Sequence, residues 1–252
     1  MKNKLKIESS FNRASHTYND NAILQKQVAH NLAEFAHDDI LKAKRIIDLG
    51  CATGFVAEEV FKIVPDFPHK KMVQLDISEE MMRHNPHPTH KIICDIEKLP
   101  FPADFFDLAL SSLTFQWIND LKTTIPQILK TLSKGGKLYF STVGEKTLQE
   151  LKTACANCQI DLGINEFVNE ESLKTILADF NFTLEKKELM LQYQDCFDLL
   201  KSMKKIGANH SEKKKLLNRT KFEELNDFYL KNFKTSGKVF ATWQIFYISV
   251  QK

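Results

Sequence analysis

A glycine-containing turn near residue 50 is the first feature of this chain that could do chemistry. The segment Asp48-Leu49-Gly50-Cys51-Ala52-Thr53-Gly54 lies between a predicted strand and a predicted helix. Glycine permits a tight turn and lets backbone N–H groups approach a ligand closely. The spacing is Gly-x-x-x-Gly, with Ala52 where a third glycine would stand. The turn is therefore neither a GxGxxG dinucleotide motif nor, without a lysine, a P-loop.

The same segment has two interpretations, an ordinary strand-to-helix turn or one part of a nucleoside site. The methyl group of Ala52 is tolerable there if the φ of that residue is negative.

Two further aspartates favour the nucleoside site. Asp76 ends the second predicted strand, 22 residues after Gly54, where a carboxylate can accept hydrogen bonds from both hydroxyls of a ribose. Asp95 ends the third predicted strand, where it can reach an adenine amino group while Ile96 packs on the ring. With Asp48, these carboxylates would line one edge of one crevice. Three carboxylates would repel a pyrophosphate, so the pattern favours a positively charged nucleoside.

These side chains must be positioned by alternating strands and helices. Strands are predicted at 45–49, 71–76, 91–94, 106–111 and 137–142, the last after the turn Lys134-Gly135-Gly136. Helices are predicted at 21–36, 55–64, 79–84 (capped by Ser78) and 121–132. Such alternation indicates parallel strands joined by right-handed crossovers. Ligands of such sheets bind beyond the carboxyl ends of the strands.

The second half is less regular. Helices are predicted at 148–161, 171–179, 197–206 and 222–233, and strands at 183–193 and 239–250. The two late strands can extend the same sheet, with the helices between them forming a cap. The predicted fold class is α/β: a Rossmann-like, mostly parallel seven-stranded sheet flanked by helices, with a helical cap inserted in the C-terminal half.

We find no repeat or low-complexity linker, so one domain is predicted. Lid helices would occupy 1–40, the nucleoside-binding core 41–145, further core elements and the cap 146–238, and the last strand 239–252.

Composition restricts the class of protein. The 252 residues are 43% hydrophobic and 27% charged, near the averages for a globular protein, which argues against disorder and fibrous repeats. A net charge of +3 does not indicate a nucleic-acid partner. Neither a run of about 20 apolar residues nor a secretion signal is evident, so we expect a cytoplasmic protein without a membrane partner. The five irregularly spaced cysteines argue against a disulfide framework, and Cys155-Ala-Asn-Cys158 favours two helix cysteines over a metal or redox pair.

The chain resembles class I S-adenosylmethionine-dependent methyltransferases. The resemblance rests on the segment from Asp48 to Gly54, on Asp76 and Asp95, and on Phe106-Asp107-Leu108 followed by Lys134-Gly135-Gly136. Ala52 departs from the glycine-rich signature of that family. The resemblance implies S-adenosylmethionine as cofactor and S-adenosylhomocysteine as product. The implied cofactor-binding residues are Asp48, Gly50, Cys51, Gly54, Asp76, Ile77, Asp95, Ile96, Ser111 and Tyr18.

Other segments resemble, more narrowly, the malonyl-acyl-carrier-protein O-methyltransferases of early biotin synthesis. In the first half these are FNRASHTY (11–18), Leu24-Gln25, DIEKLPF (95–101) and SSLTFQW (111–117). In the second half they are FSTVG (140–144), TLQEL (147–151), IGAN (206–209) and ATWQIFY (241–247). The resemblance covers nearly the whole chain, and the N-terminal segment and those beyond Ser141 discriminate best.

This family resemblance implies methyl transfer to the free carboxylate of a malonyl thioester, on acyl carrier protein or coenzyme A. The ester would then serve as an apolar primer for fatty-acid elongation toward a pimeloyl group. A carboxylate is ionised at pH 7, so no general base is required, and the enzyme must position the reactants and exclude water. We expect no metal: His84, His87 and His90 lie in a proline-containing loop without carboxylate partners.

Candidate substrate-binding residues are chosen by their chemistry and their position relative to the predicted sheet, and Tyr18 also by the resemblance. They are Arg13, His16 and Tyr18 in an N-terminal segment that can fold over the cofactor, Gln116 and Trp117 after the fourth strand, and Lys146 after the fifth. We expect Tyr18 and Gln116 to position the reactants. Arg13 or Lys146 would hold the substrate carboxylate, although Arg13 could instead hold that of the cofactor and each could be a solvated charge. Trp117 could be a core residue.

An acyl carrier protein is acidic, so the resemblance also implies a basic docking face. Its candidates are Lys201, Lys204, Lys205, Lys213, Lys214, Lys215, Arg219 and Lys221. Glu212, Glu223 and Glu224 interrupt this set, so the alternative is a merely solubilising surface.

Two other functions stay open. One is methylation of another small carboxylic acid. The other is a methyltransferase-like protein that binds the cofactor without methyl transfer and serves in assembly or in hydroxylation of a protein arginine.

Overall fold

The computed structural model describes residues 2–208 and 219–252. Within these residues the chain forms ten α-helices and eight strands. The helices are α1 (Lys4–Asn21), α2 (Ile23–Phe35), α3 (His37–Lys42), α4 (Phe55–Ile63), α5 (Glu79–Arg83), α6 (Leu121–Thr131), α7 (Gln149–Asn157), α8 (Glu170–Leu177), α9 (Cys196–Lys205) and α10 (Arg219–Asn232). The strands are β1 (Ile46–Leu49), β2 (Met72–Asp76), β3 (His90–Ile93), β4 (Phe106–Ser111), β5 (Leu132–Val143), β6 (Asn181–Tyr193), β7 (Lys234–Thr235) and β8 (Lys238–Gln251).

The described strands form one sheet in the order β3-β2-β1-β4-β5-β8-β6. The pairs from β3 to β5 are parallel, whereas β8 is antiparallel to both β5 and β6. This confirms the predicted fold class and the placement of the two late strands in the same sheet. The sheet has eight strands rather than seven because the two-residue β7 pairs with β8 beside it.

Several element boundaries differ from the prediction by a few residues, and the start of β5 differs most in kind. Lys134-Gly135-Gly136, expected to be a turn before the fifth strand, lies inside β5, which already begins at Leu132. The register against β4 shifts here, since Leu132 pairs with Phe106 and Lys137 pairs with Leu108. Gly135 takes a φ of 79° in this bulge, a conformation that glycine adopts readily.

Side chains alternate between the two faces of the sheet. Ile46 and Leu110 pack with buried residues of α2, α4 and α7 on one face. Ile47 and Leu49 pack with α6 and α8 on the other. Because β1 is covered on both faces, all of its residues are apolar except Asp48.

Candidate active site

The predicted glycine-containing turn is folded back onto the end of β2. The N–H groups of Gly50 and Cys51 both donate to the carbonyl of Leu75, at 2.7 and 3.0 Å. A Cβ at Gly50 would lie 2.2 Å from the Thr114 hydroxyl oxygen, so only glycine fits there. Gly54, at a φ of 96°, immediately precedes α4 and is its N-cap. The turn is thus held by backbone hydrogen bonds, and the Thr114 side chain leaves no space for a larger residue at Gly50.

Ala52 adopts a φ of 44° in this turn. The condition under which its methyl group would be tolerated without strain, a negative φ, is therefore not met. In this left-handed conformation the Ala52 N–H donates to Oδ2 of Asp76 at 2.8 Å. The turn thus orients the aspartate at a cost in backbone energy, because an L-residue is strained there.

Asp76 lies at the carboxyl end of β2, as predicted, and is only 8% exposed. Its other oxygen, Oδ1, accepts from the Ser78 N–H at 2.8 Å. Burial raises the pKa of Asp76, while backbone hydrogen bonds from Ser78, Ala52 and Ile77 act in the opposite direction. Hydrogen bonds on both oxygens fix the plane of this carboxylate.

A cavity of about 650 Å³ opens beside these groups. We call it the strand-end cavity, because it lies beyond the carboxyl ends of β1 to β4 and under α1. Its lining includes Lys4, Ile7, Phe11, Tyr18, Gly50, Ala52, Asp76, Ile77, Asp95, Ile96, Ser112, Leu113 and Trp117. The predicted cofactor residues Gly50, Asp76, Ile77, Asp95, Ile96 and Tyr18 therefore meet at one cavity.

Asp95 lies at the wall of the strand-end cavity, but it has partners that the sequence did not indicate. Its Oδ1 accepts from the Glu97 N–H at 3.1 Å and from Nζ of Lys4 at 3.2 Å. Lys4 also pairs with Glu97 at 2.5 Å. The start of α1 is thereby tied across the cavity to the segment after β3.

The remaining predicted cofactor residues do not line the strand-end cavity. Asp48 lies inside β1 opposite Gln74 in β2, and Gln74 donates to its Oδ2 at 3.1 Å. Cys51 is buried with its sulfur 3.1 Å from that of Met82. Ser111 donates to the carbonyl of Leu49 at 2.6 Å. With Gly54, these residues support the turn from behind.

The expectation that three carboxylates share one edge of the crevice is thus wrong for Asp48. Because Asp48 is the third residue of a four-residue strand, its side chain points to one face of the sheet and not beyond its end. Burial raises the pKa of Asp48 to about 7, assisted by the charge of Asp76 and opposed by the hydrogen bond from Gln74.

A second cavity, of about 600 Å³, adjoins the first. We call it the lid cavity. The two cavities share Phe11, Tyr18, Leu113 and Trp117. The rest of the lid cavity is lined by Leu24, Gln25, Gln116, Val143, Leu148, Asn165, Phe167, Met203, Ile206, Ala208 and Trp243. Among the described lining residues none carries a charge, so this cavity is apolar with a few neutral polar groups.

Tyr18 stands where the two cavities meet, as expected for a residue of a lid. It is 6% exposed and stacks on Phe55 with 5.9 Å between ring centroids. Burial, followed by the charges of Asp76 and Cys51, raises the pKa of its hydroxyl. That hydroxyl is therefore a neutral hydrogen-bond donor at physiological pH.

Gln116 and Trp117 also lie at the lid cavity, as predicted. Gln116 donates to the Leu113 carbonyl at 2.5 Å and accepts from Thr142 at 3.5 Å, so its amide is held in place. Trp117 contacts Phe11 edge-on at 5.7 Å between centroids.

Arg13, His16 and Lys146 line neither cavity. Arg13 is exposed and donates to Ser9 and Ser10 of its own helix, while the ring of His16 packs on that of His84. Lys146 is 57% exposed and pairs with Glu188 at 3.8 Å. The α1 residues that do face the strand-end cavity are Lys4, Ile7, Phe11 and Tyr18. These residues are three, four and seven positions apart, which is the spacing of one helix face. The same helical spacing places Arg13 and His16 on the other face, away from the cavity.

The basic residues of the cap divide into three groups. Lys201, Lys204 and Lys205 lie on α9 and form no ion pair within the described part of the chain. Arg219 and Lys221 pair with Glu223 and Glu224. Lys213, Lys214 and Lys215 lie outside the described residues, as does Asn209.

Within residues 2–208 and 219–252, no group of three or more His, Cys, Asp or Glu side chains is arranged to hold a metal ion. In the same ranges no helix has both the length and the apolar character to cross a membrane.

Comparison with known proteins gives matches along the whole chain. A protein-family model described as a methyltransferase domain matches residues 21–187. Malonyl-[acyl-carrier protein] O-methyltransferase 2 of Ilyobacter polytropus is 32% identical, over 100% of this chain and 99% of its own. Malonyl-[acyl-carrier protein] O-methyltransferase of Bacillus cytotoxicus is also 32% identical, over 100% of this chain and 93% of its own.

A longer relative matches this chain over about half of its own length. The biotin biosynthesis bifunctional protein BioHC of Teredinibacter turnerae is 29% identical over 99% of this chain and 47% of its own.

Solved structures share the fold. The plantazolicin methyltransferase BpumL, in complex with a monoazolic desmethylPZN analog and SAH, has a TM-score of 0.56 at 14% identity, covering 99% of this chain and 95% of that one. A SAM-dependent methyltransferase from Archaeoglobus fulgidus has a TM-score of 0.52 at 15% identity, covering 90% and 94%.

Proposed function

The chain belongs to the malonyl-[acyl-carrier protein] O-methyltransferase family of S-adenosylmethionine-dependent enzymes, and from that premise we propose that it methylates the free carboxylate of malonyl-acyl-carrier protein. The methyl ester would then enter fatty-acid elongation toward the pimeloyl group of biotin. This proposal also assigns the enzyme to the cytoplasm. The observation that carries it is the meeting of a carboxylate-lined cavity and an uncharged one at Tyr18.

The residues of the strand-end cavity fit S-adenosylmethionine. The Ser112 hydroxyl in its wall is buried without a hydrogen-bond partner among the described residues, so a ligand with polar groups would satisfy it. Asp76 offers an oriented carboxylate, and Gly50 leaves backbone exposed where a Cβ cannot fit. The residues that would hold the cofactor are Gly50, Ala52, Asp76, Ile77, Asp95 and Ile96.

S-Adenosylmethionine supplies, when bound, a methyl group on a positively charged sulfur. Asp76 favours a cation in the strand-end cavity by Coulomb attraction, whereas the charge of Asp95 is already balanced by Lys4. Phe11, Tyr18, Leu113 and Trp117 form the wall common to both cavities and exclude water from the point where they meet. No side chain needs to remove a proton, because a carboxylate acceptor is ionised at neutral pH.

The lining of the lid cavity suits a substrate carboxylate that is held by uncharged hydrogen-bond donors. Since Arg13 and Lys146 lie elsewhere, its polar lining groups are the Tyr18 hydroxyl, the side-chain amides and the Trp243 indole. A hydrogen bond from a neutral donor withdraws less negative charge from the attacking oxygen than an ion pair with arginine would. We infer that Tyr18 and Gln116 orient the acceptor carboxylate.

We further propose that the carrier protein docks on α9. Lys201 and Lys204 are exposed there, and Met203, from the same helix, lines the lid cavity. Residues of the predicted lid, core and cap all line this cavity, which supports the prediction of a single domain.

Transfer of labelled methyl tests the proposed function. The protein is incubated with S-adenosylmethionine labelled in the methyl group and with malonyl-acyl-carrier protein, and label is expected in a base-labile ester. Asp76→Ala should abolish transfer, whereas Asp179→Ala, which removes an exposed carboxylate in the segment after α8, should leave it unchanged. Expression of the wild type, but not of Asp76→Ala, should rescue a biotin-requiring strain that lacks this step.

The other functions predict different results. Label transferred only to a small free acid would indicate a different carboxyl methyltransferase. Cofactor binding with no methyl product from any acid would indicate a protein that does not transfer methyl groups.

A further inference from the structure

Two buried polar atoms in the lid cavity have no hydrogen-bond partner among the described residues. They are Oε1 of Gln25, in the first turn of α2, and Nε1 of Trp243, in β8. The Tyr193 hydroxyl interacts with the Trp243 indole but lies outside hydrogen-bond geometry. An unsatisfied buried polar group destabilises the folded protein. Both atoms therefore indicate a ligand that supplies the missing partners.

The chemistry of the two atoms specifies that ligand. Gln25 Oε1 accepts a hydrogen bond and Trp243 Nε1–H donates one. A ligand group that satisfies both must therefore contain one donor, for Gln25, and one acceptor, for Trp243. An ionised malonyl thioester has a carboxylate and a thioester carbonyl, which are both acceptors, and no donor. It cannot satisfy Gln25. A secondary amide has one N–H and one C=O, and such amides occur in the pantetheine arm that carries the malonyl group.

We propose that Gln25 and Trp243 bind an amide of the pantetheine arm and thereby position the malonyl carboxylate. This inference rests on the proposed function and names the part of the substrate that the lid cavity selects. Gln25 accepts from the amide N–H, and Trp243 donates to the amide carbonyl. The walls around them are apolar, with Leu24, Met203 and Ile206 in the same lining. Both residues are positioning residues, since they act on the arm and not on the reacting atoms.

Three methyl-accepting substrates distinguish recognition of the amide from recognition of the rest of the substrate. Malonyl-acyl-carrier protein and malonyl-coenzyme A both contain the pantetheine arm, whereas malonyl S-pentyl thioester replaces the first amide by methylenes. The wild type should prefer malonyl-coenzyme A over the pentyl thioester about tenfold in kcat/KM, as expected for hydrogen bonds worth about 1.4 kcal/mol in total, and docking on α9 adds to this preference on malonyl-acyl-carrier protein. Gln25→Met keeps the side-chain length and removes the acceptor for the amide N–H, while Trp243 still donates to the amide carbonyl. It should therefore reduce this preference about threefold, with a larger loss on malonyl-coenzyme A than on the pentyl thioester.

Two variants serve as comparisons. Gln27→Met, on the exposed side of the same helix, should keep the wild-type preference. Trp243→Phe should reduce the preference by removing the N–H donor, mostly through KM. Affinity for S-adenosylhomocysteine, measured by calorimetry, should be the same in all variants, which separates the proposed role from a general loss of structure.

The outcomes distinguish this inference from the proposed function. A wild type that methylates none of the three acceptors contradicts the proposed function itself. Gln25→Met activity that falls equally on all three would place Gln25 on the carboxylate and overturn the inference, as would a preference that the substitution leaves unreduced. A loss confined to the carrier protein would place Gln25 in protein docking and would also overturn it.

Discussion

Ala52 has a strained, left-handed φ of 44°. The same conformation directs its N–H at the carboxylate of Asp76, which it helps to orient. Replacing it with glycine removes about 1–2 kcal/mol of strain and costs about 0.4–1 kcal/mol in the entropy of the unfolded chain. We therefore expect Ala52→Gly to raise the free energy of unfolding by about 0.5–1 kcal/mol in urea denaturation. Ala156→Gly, in the exposed part of α7, should lower it by about 1 kcal/mol. Equal destabilisation by both substitutions would show that Ala52 is not strained.

Asp48 makes the stability of the protein depend on pH. Its pKa of about 7 in the folded protein exceeds the value of about 3.9 in an unfolded chain. Between these values the folded state holds a proton that the unfolded state has released, so Asp48 lowers stability as the pH rises from about 4 to about 7. The maximal slope is about 1.4 kcal/mol per pH unit.

Asp48→Asn removes this titration while keeping the shape of the side chain. The variant should gain stability over the wild type as the pH increases, with the difference complete above about pH 7 and smallest near pH 4. Urea denaturation of both proteins between pH 5 and pH 8 measures it. A difference that stays constant across this range would mean that Asp48 does not titrate there.

Tyr18 presents its hydroxyl at the boundary between the two cavities. Tyr18→Phe should lower kcat on malonyl-acyl-carrier protein about tenfold, the effect of one lost hydrogen bond of about 1.4 kcal/mol to the acceptor. Calorimetry should give a cofactor affinity within about threefold of the wild type, since the ring remains. Tyr139→Phe removes a hydroxyl that bonds Asp39 far from both cavities and should leave kcat unchanged. A Tyr18→Phe enzyme with full kcat would exclude the hydroxyl from the reaction.

At the scale of elements, α1 is the part that closes the strand-end cavity. Its inner face carries Ile7, Phe11 and Tyr18, and Lys4 ties its first turn to Asp95 and Glu97. Such a partly exposed ion pair is worth up to about 1 kcal/mol. Lys4→Met should therefore raise the dissociation rate of S-adenosylhomocysteine about two- to fivefold in stopped-flow measurements.

Salt provides the control for this contact. Added salt should accelerate dissociation from the wild type more than from Lys4→Met, because it screens the ion pair that the variant lacks. Lys6→Met, on the exposed side of the same turn, should behave as the wild type does. Identical salt dependence in the wild type and Lys4→Met would contradict a role for Lys4 in holding α1.

At the scale of the whole molecule, the two ends of the sheet have different roles. Both cavities lie at the carboxyl ends of the strands, near the cap, whereas Lys70 and Lys71 precede β2 at the amino end. The double substitution Lys201→Glu/Lys204→Glu should lower kcat/KM for malonyl-acyl-carrier protein about tenfold and leave malonyl-coenzyme A nearly unaffected, because it reverses the attraction for an acidic protein. Lys70→Glu/Lys71→Glu should change neither. Equal losses on both acceptors would argue against docking at α9.

The sequence predicted the fold, and it predicted that several of the proposed cofactor residues meet at one edge of the sheet. Alternation of strands and helices is local information, and the ends of parallel strands meet at one edge of a sheet, so Asp76 and Asp95 could be placed together. The position of Tyr18 followed from the family resemblance. Membership of the malonyl-[acyl-carrier protein] O-methyltransferase family confirms that resemblance.

The substrate side was predicted less well. Arg13 and His16 were chosen for their chemistry, yet the helical period turns them away from the cavity that Phe11 and Tyr18 face. The depth of Asp48 within β1 likewise separates it from the other two carboxylates.

The sequence by itself determined which segments become strands and helices, and therefore which edge of the sheet carries the site, because both depend on residues close together along the chain. Only the tertiary structure decided which side chains enter the lid cavity. Its walls combine α1, α2, α9 and β8, and the direction in which Gln25 or Trp243 points depends on how these distant elements pack against one another.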